Sequence, residues 1–302
     1  MPRSHRMQSV SVALDGSPPP AGTADLERRT VTALVYAVVV LAALFAPSPF
    51  FAVLVAILAA LGYIELRALF KYRSYQPWLV GLLFTLAFVA AHVFAQSLVP
   101  LTTTVLVITV VFGVVTIAAL MRQAARGRTM PALLGAVFTL AGSAYVGLGF
   151  GFLIELWLAD GTATRGWLGD LPVWLLLALV PTWTGDSVAY LIGSRIGRHR
   201  IAPAISPGKT WEGTLAGFGA AAVVALVIAV SAGLRTGPSL LVAVLVGPVG
   251  FAGDLFESAI KRVAGAKDSG TLFPGHGGVL DRVDSLIFVA PAVALVLALA
   301  RQ

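Results

Sequence analysis

Apolar residues dominate the chain in long runs, and short polar segments separate them. The runs cover 30–46, 49–66, 78–99, 101–121, 131–157, 173–194, 212–232, 238–256 and 285–300. A helix needs roughly 20 residues, with a usable range of about 17–25, to cross the hydrocarbon core of a bilayer. The pattern therefore predicts an all-α polytopic membrane protein with about nine transmembrane helices. The first and last runs are short by that measure, and 131–157 is long enough to tilt. Residues 1–29 differ, being rich in Pro, Ser, Gly and charge around Pro18-Pro19-Pro20. That composition predicts a disordered arm, and its lack of an apolar core argues against a signal peptide. Three segments result: the arm at 1–29, N-terminal transmembrane helices over 30–170, and a C-terminal transmembrane region over 171–302.

Composition strengthens this reading, since 58% of residues are hydrophobic and 12% charged. Soluble domains run nearer half apolar and about a quarter charged. The net charge of +7 is explained by topology. With the N-terminus in the cytoplasm, 18 of the 21 Lys and Arg fall on cytoplasmic segments; Arg165, Arg235 and Arg301 fall outside. The polar connections 195–211 and 257–284 then share the cytoplasmic side. No cluster of basic and aromatic residues suggests nucleic acid. With no cysteine, disulfides and thiolate chemistry are excluded. The histidines His5, His92, His199 and His276 have no ligand spacing, so a bound metal would be held by oxygen, which favours Mg²⁺. No internal repeat of the kind found in many transporters is visible. Glu65 and Glu155 lie near run ends, where an interfacial place is expected.

Candidate chemistry gathers in the second half. Asp186, within Thr184-Gly185-Asp186-Ser187, falls in the middle of a predicted span. A carboxylate there is costly unless paired, protonated or in water, and marks either a functional site or a polar contact between helices. In Ser206-Pro207-Gly208-Lys209-Thr210-Trp211-Glu212-Gly213, Pro-Gly predicts a turn and Thr210 an N-cap. Lys209 would then stand beside free helix N–H groups, ready for a phosphate, unless this is an ordinary capped loop. If the helix after 238 continues to Arg262, then Asp254, Glu257, Ser258 and Lys261 form one stripe. Asp281, Asp284 and Ser285 repeat the arrangement where the last helix begins, beyond the glycine turn Pro274-Gly275-His276-Gly277-Gly278. Carboxylates from two helix ends, with cations between them, suit a divalent metal bridged to polyphosphate.

The stretch Ser258-x-Ile260-Lys261-Arg262, Lys267-Asp268-x-Gly270 and Phe273-Pro274-x-His276-Gly277-Gly278-Val279-x-Asp281-Arg282-Val283-Asp284 resembles the signature of the phosphatidate cytidylyltransferase family. Gly253-Asp254-Leu255-x-Glu257-Ser258, Ser206-Pro207-x-Lys209-Thr210-x-Glu212-Gly213 and Asp186-x-x-Ala189-Tyr190-x-x-Gly193 look like further elements of it. The resemblance covers 186–284; the long N-terminal arm departs from it. It implies cytidylyl transfer from CTP to phosphatidic acid, giving CDP-diacylglycerol and pyrophosphate, at a cytoplasm-facing site in the cell membrane. Asp254 and Asp281 would be ligands of Mg²⁺, as one ion or two, with Ser258 and Glu257 beside them. Lys209, Lys261, Arg262, Lys267 and Arg282 would hold phosphates. Glu212, Asp268, His276 and Asp284 would belong to the nucleotide side, and Asp186 to the inner end of a polar cavity. The resemblance also favours a homodimer. A polyprenol kinase-like enzyme using CTP and an ion-coupled transporter built on Asp186 are the competing readings.

Overall fold

The computed structural model describes residues 38–301, except 41, 44, 46, 71–75, 95–100, 160–170 and 274–276. The arm at 1–29 and most of the expected first span lie outside the described residues, although 38–40 and 42–43 are helical. The helices that follow are α1 (Ser48–Leu69), α2 (Trp78–Phe94), α3 (Leu101–Ala124), α4 (Thr129–Leu158) and α5 (Val173–Ile196). An antiparallel hairpin, β1 (Arg200–Ala202) and β2 (Ser206–Thr210), leads into α6 (Trp211–Ser231) and α7 (Thr236–Val263). The chain closes with a single turn, α8 (Leu280–Val283), and α9 (Leu286–Ala300). Among the described residues, seven helical runs are long and apolar enough to cross a membrane, α8 and α9 counting as one from Leu280 to Ala300. Trp78–Phe94 is a shorter apolar helix. The protein is an all-α polytopic membrane protein, apart from the hairpin.

Two local expectations are corrected. Pro207-Gly208 does not turn the chain but lies within β2; the reversal falls at 203–205, where the Ile205 N–H donates to the Ala202 carbonyl (3.1 Å). Pro207 is tolerated in a strand because a two-stranded hairpin leaves one edge of each strand unpaired. The last helical run starts at Leu280 rather than Ser285, which puts Asp281 and Asp284 within its opening turns. The N-cap at Thr210 is present, its Oγ accepting the Gly213 N–H (3.3 Å).

Small residues set the packing. A side chain added at Gly213 would place its Cβ 2.8 Å from the Gly193 Cα, and one at Gly217 2.6 Å from the Gly185 carbonyl oxygen. Backbones of α5 and α6 therefore touch, as small residues allow between membrane helices. On α4, Gly147 and Gly149 give the same closeness to α2 and α9. Tyr63, Phe84, Phe88 and Phe150 fill the spaces beside them and are wholly buried. α3 packs on α2 and α4, Phe112 stacking on Phe84, and leaves Leu106, Val110, Val114 and Ile117 exposed, a surface that suits lipid.

Candidate active site

The C-terminal half of α5, the hairpin with the start of α6, and the junction of α7 with α8 meet at one end of the bundle. They enclose a polar cavity of about 850 Å³ that reaches down to Thr182, Ala221 and Val246. The loops on either side of α6 and α7 are joined there, since Arg262 Nε donates to the Ile205 carbonyl (3.1 Å). The polar connections 195–211 and 257–284 thus come together at one end of the bundle. Asp186, Lys209, Asp254, Lys261, Asp268, Asp281, Arg282 and Asp284 all line the cavity.

Because α7 stays helical to Val263, its polar stripe is real. Ser258 Oγ donates to Asp254 (3.2 Å), and Lys261 Nζ donates to Glu257 (2.5 Å). Lys261 also reaches Asp281 Oδ1 (2.6 Å), tying α7 to α8. Lys209 crosses from β2 to Asp254 Oδ2 (2.5 Å), its ammonium 4.7 Å from the Phe251 ring. Asp281 Oδ2 accepts from the Ser269 N–H (2.8 Å), Ser269 Oγ (2.8 Å) and the Gly278 N–H (2.7 Å). Gly277 makes this approach possible, with a φ of 81° that a side chain would strain.

Glu65 is the residue whose role the sequence pattern concealed. It sits on α1, yet its Oε1 accepts the Val279 N–H (2.9 Å) and its Oε2 accepts the Leu280 N–H (3.0 Å) and Ser269 Oγ (3.2 Å). A carboxylate at this helix start matches the unsatisfied N–H groups there. Ser269 bridges Glu65 to Asp281, so a residue of the N-terminal half holds the loop that carries the site. The available signal was a charge at the end of an otherwise apolar run, which by itself reads as interfacial. Arg198 and Arg200 also line the cavity, although their sequence positions explained only topology.

Other expected site residues stand elsewhere. Glu212 accepts from the backbone N–H groups of Arg198 (3.1 Å) and His199 (3.3 Å) and pairs with the His199 ring (2.7 Å), bracing the hairpin. Arg262 is spent on the Ile205 and Ala266 carbonyls. Lys267 is exposed and is not part of the cavity wall. His276 lies outside the described residues.

Among the described residues, no group of three or more His, Asp or Glu side chains is placed to hold a metal ion. The donor set nevertheless fits a hard cation. Asp186, Asp254 and Asp284 line one cavity, and Glu257 follows Asp254 by three positions on α7. Glu257 Oε1 is buried and, among the described residues, has no hydrogen-bond partner. A cluster of carboxylates with a spare buried oxygen is the chemistry that Mg²⁺ satisfies.

An uncharacterized protein, YnbB, of Escherichia coli (strain K12) is 47% identical over 136 residues, covering 45% of either chain. Phosphatidate cytidylyltransferases of Staphylococcus saprophyticus and Staphylococcus aureus (strain COL) are each 39% identical over 164 residues, 54% of this chain and 59% of theirs. The matches thus span about half the length of these curated relatives. Residues 27–300 match the cytidylyltransferase family as a whole, taking in every element around the cavity, and the chain belongs to that family.

Proposed function

We propose that the protein transfers the cytidylyl group of CTP to phosphatidic acid, releasing pyrophosphate and forming CDP-diacylglycerol at the cytoplasmic face of the cell membrane. The observation that carries this is the cavity itself. Lys209, Lys261 and Arg282 alternate there with Asp186, Asp254, Asp281 and Asp284 at the end of an apolar bundle. Such a place lets a lipid keep its acyl chains in the bilayer while its phosphate meets a water-soluble nucleotide. The names of the staphylococcal relatives support the same reaction.

A phosphate oxygen of phosphatidic acid attacks the α-phosphorus of CTP; the bond to the oxygen bridging the β-phosphorus breaks, and pyrophosphate leaves with that pair. Since the nucleophile is already an anion, no strong general base is needed. What is needed is neutralisation of two approaching anions and an in-line alignment. Lys209 and Lys261 are held by carboxylates and so are aimed before substrate arrives; Arg282 contributes a planar donor suited to phosphate. Asp254, Asp281, Ser258 and Glu257, with Asp284 beside them, are the residues that would hold Mg²⁺. When bound, the ion would neutralise charge on the phosphate oxygens.

Purified protein in detergent, given CTP, Mg²⁺ and phosphatidic acid, is expected to release pyrophosphate and form the CDP-lipid. Replacing phosphatidic acid by a polyprenol should give no product. CDP release from the polyprenol reaction, or no pyrophosphate from monodisperse protein, would overturn the reading.

A further inference from the structure

A second cavity, apolar and about 140 Å³, lies beside the first on the side of α1 and α5. Leu54, Val55 and Leu58 of α1, Leu175 and Leu179 of α5, and Phe150 of α4 contribute to its wall. Among the described residues, its one charged wall residue is Arg282, which also lines the polar cavity. Arg282 Nε is buried, and among the described residues it has no hydrogen-bond partner. Leaving such a donor unpaired is costly, so an acceptor is expected to reach it. The guanidinium thus stands at the junction of a polar chamber and an apolar crevice, which is the division between a phosphate and a hydrocarbon chain.

We infer that this crevice takes the headgroup-proximal part of one acyl chain of the lipid substrate, with its phosphate on Arg282; this rests on the cytidylyl-transfer reading above. Direction and size agree. The Glu65 end of α1 meets the catalytic loop, whereas the crevice uses Leu54 to Leu58, farther from that loop. On α5 it spans Leu175 to Trp183, about 12 Å at the helical rise per residue. It therefore runs from the polar end into the bundle, as an acyl chain does. A cavity of about 150 Å³ accepts benzene, so this one holds roughly six carbons. The rest of the chain would leave past Val39, a wall residue 43% exposed, toward lipid.

Photo-crosslinking reads the occupant directly. Phosphatidic acid carrying a diazirine near the fifth acyl carbon is expected to label residues 51–58 or 175–183 of the wild-type protein. Leu54→Trp should cut that labelling and the kcat/KM for dioleoyl phosphatidic acid by about tenfold, with the KM for CTP within about twofold. Val39→Trp, at the surface opening, serves where Leu54→Trp fails to fold. Activity on water-soluble dibutanoyl phosphatidic acid should fall far less in either variant. Labels confined to the exposed face of α3, or equal losses on both lipids, would overturn the crevice. Absence of pyrophosphate release by wild type would count against the reaction alone, and the label map would still decide the crevice.

Discussion

Lys261 makes its two charged contacts in opposite directions along the chain, to Glu257 one helical turn behind it and to Asp281 twenty positions ahead. Asp281 in turn receives the Ser269 and Gly278 donors, so it shapes the loop as well as the charge of the site. Asp254 has less structural duty, meeting Lys209 and Ser258. Asp254→Asn keeps the shape and removes the charge a cation requires, and pyrophosphate release should fall by roughly 100-fold or more. Asp281→Asn should fall as far, the double variant little further, and Asp268→Asn much less. Near-normal rates with an unshifted Mg²⁺ dependence in either single variant would remove that residue from the metal site. Glu65→Gln swaps one acceptor oxygen for a donor facing the Leu280 N–H or the Val279 N–H. Because its effect passes through Asp281, kcat should drop by about tenfold or more while the KM for CTP stays within about twofold. Glu65→Asp should recover part of the loss, and equal losses in both variants would point to unfolding instead. Asp281 and Lys261 were legible as chemistry from their spacing; Glu65 was not, because its partners lie more than 200 positions along the chain.

At the level of helices, the apolar runs located the elements well, because a bilayer demands an uninterrupted apolar length and a closed set of backbone hydrogen bonds. Runs 173–194 and 212–232 became α5 and α6 with ends shifted by only a few residues. The shifts that mattered arose where polar residues are themselves helical. α7 carries its charged stripe through Val263, and the final run begins at Leu280. The α5–α6 contact is the most exacting of the pairings, with Gly193 facing Gly213 and Gly185 facing Gly217. Gly213→Val should cost about 1–3 kcal/mol through overpacking, since the clash is with backbone that cannot rotate away. The expected sign is a lower melting temperature in detergent together with lost activity, as Lys209 and Asp186 flank the same contact. Gly219→Ala, where a Cβ meets nothing within 4 Å, is the comparison and should leave both unchanged. Equal melting temperatures for Gly213→Val and wild type would show that α5 and α6 need not touch.

For the whole molecule, the basic-residue bias predicts that both polar connections face the cytoplasm, and the fold brings those connections to one end of the bundle. The sequence has no cysteine, so single introduced thiols report sidedness cleanly. Ala204→Cys at the hairpin tip and Lys267→Cys should react with impermeant reagents only from the cytoplasm, and Thr236→Cys only from outside. Labelling of Ala204→Cys or Lys267→Cys from outside would invert the topology and with it the face where CTP must arrive. By itself the sequence determined membrane residence, the helical runs, the basic-residue bias and the stripe on α7. Each of these follows from local composition or a short helical period, which needs no knowledge of distant residues. Tertiary structure alone decided that Glu65 grips Ser269 and the start of α8, that Lys209 reaches Asp254, and that Arg282 separates a polar chamber from an apolar crevice. Those depend on which helices touch, and contact between distant segments is set by packing of small and large residues across the whole bundle rather than by any pattern within one run.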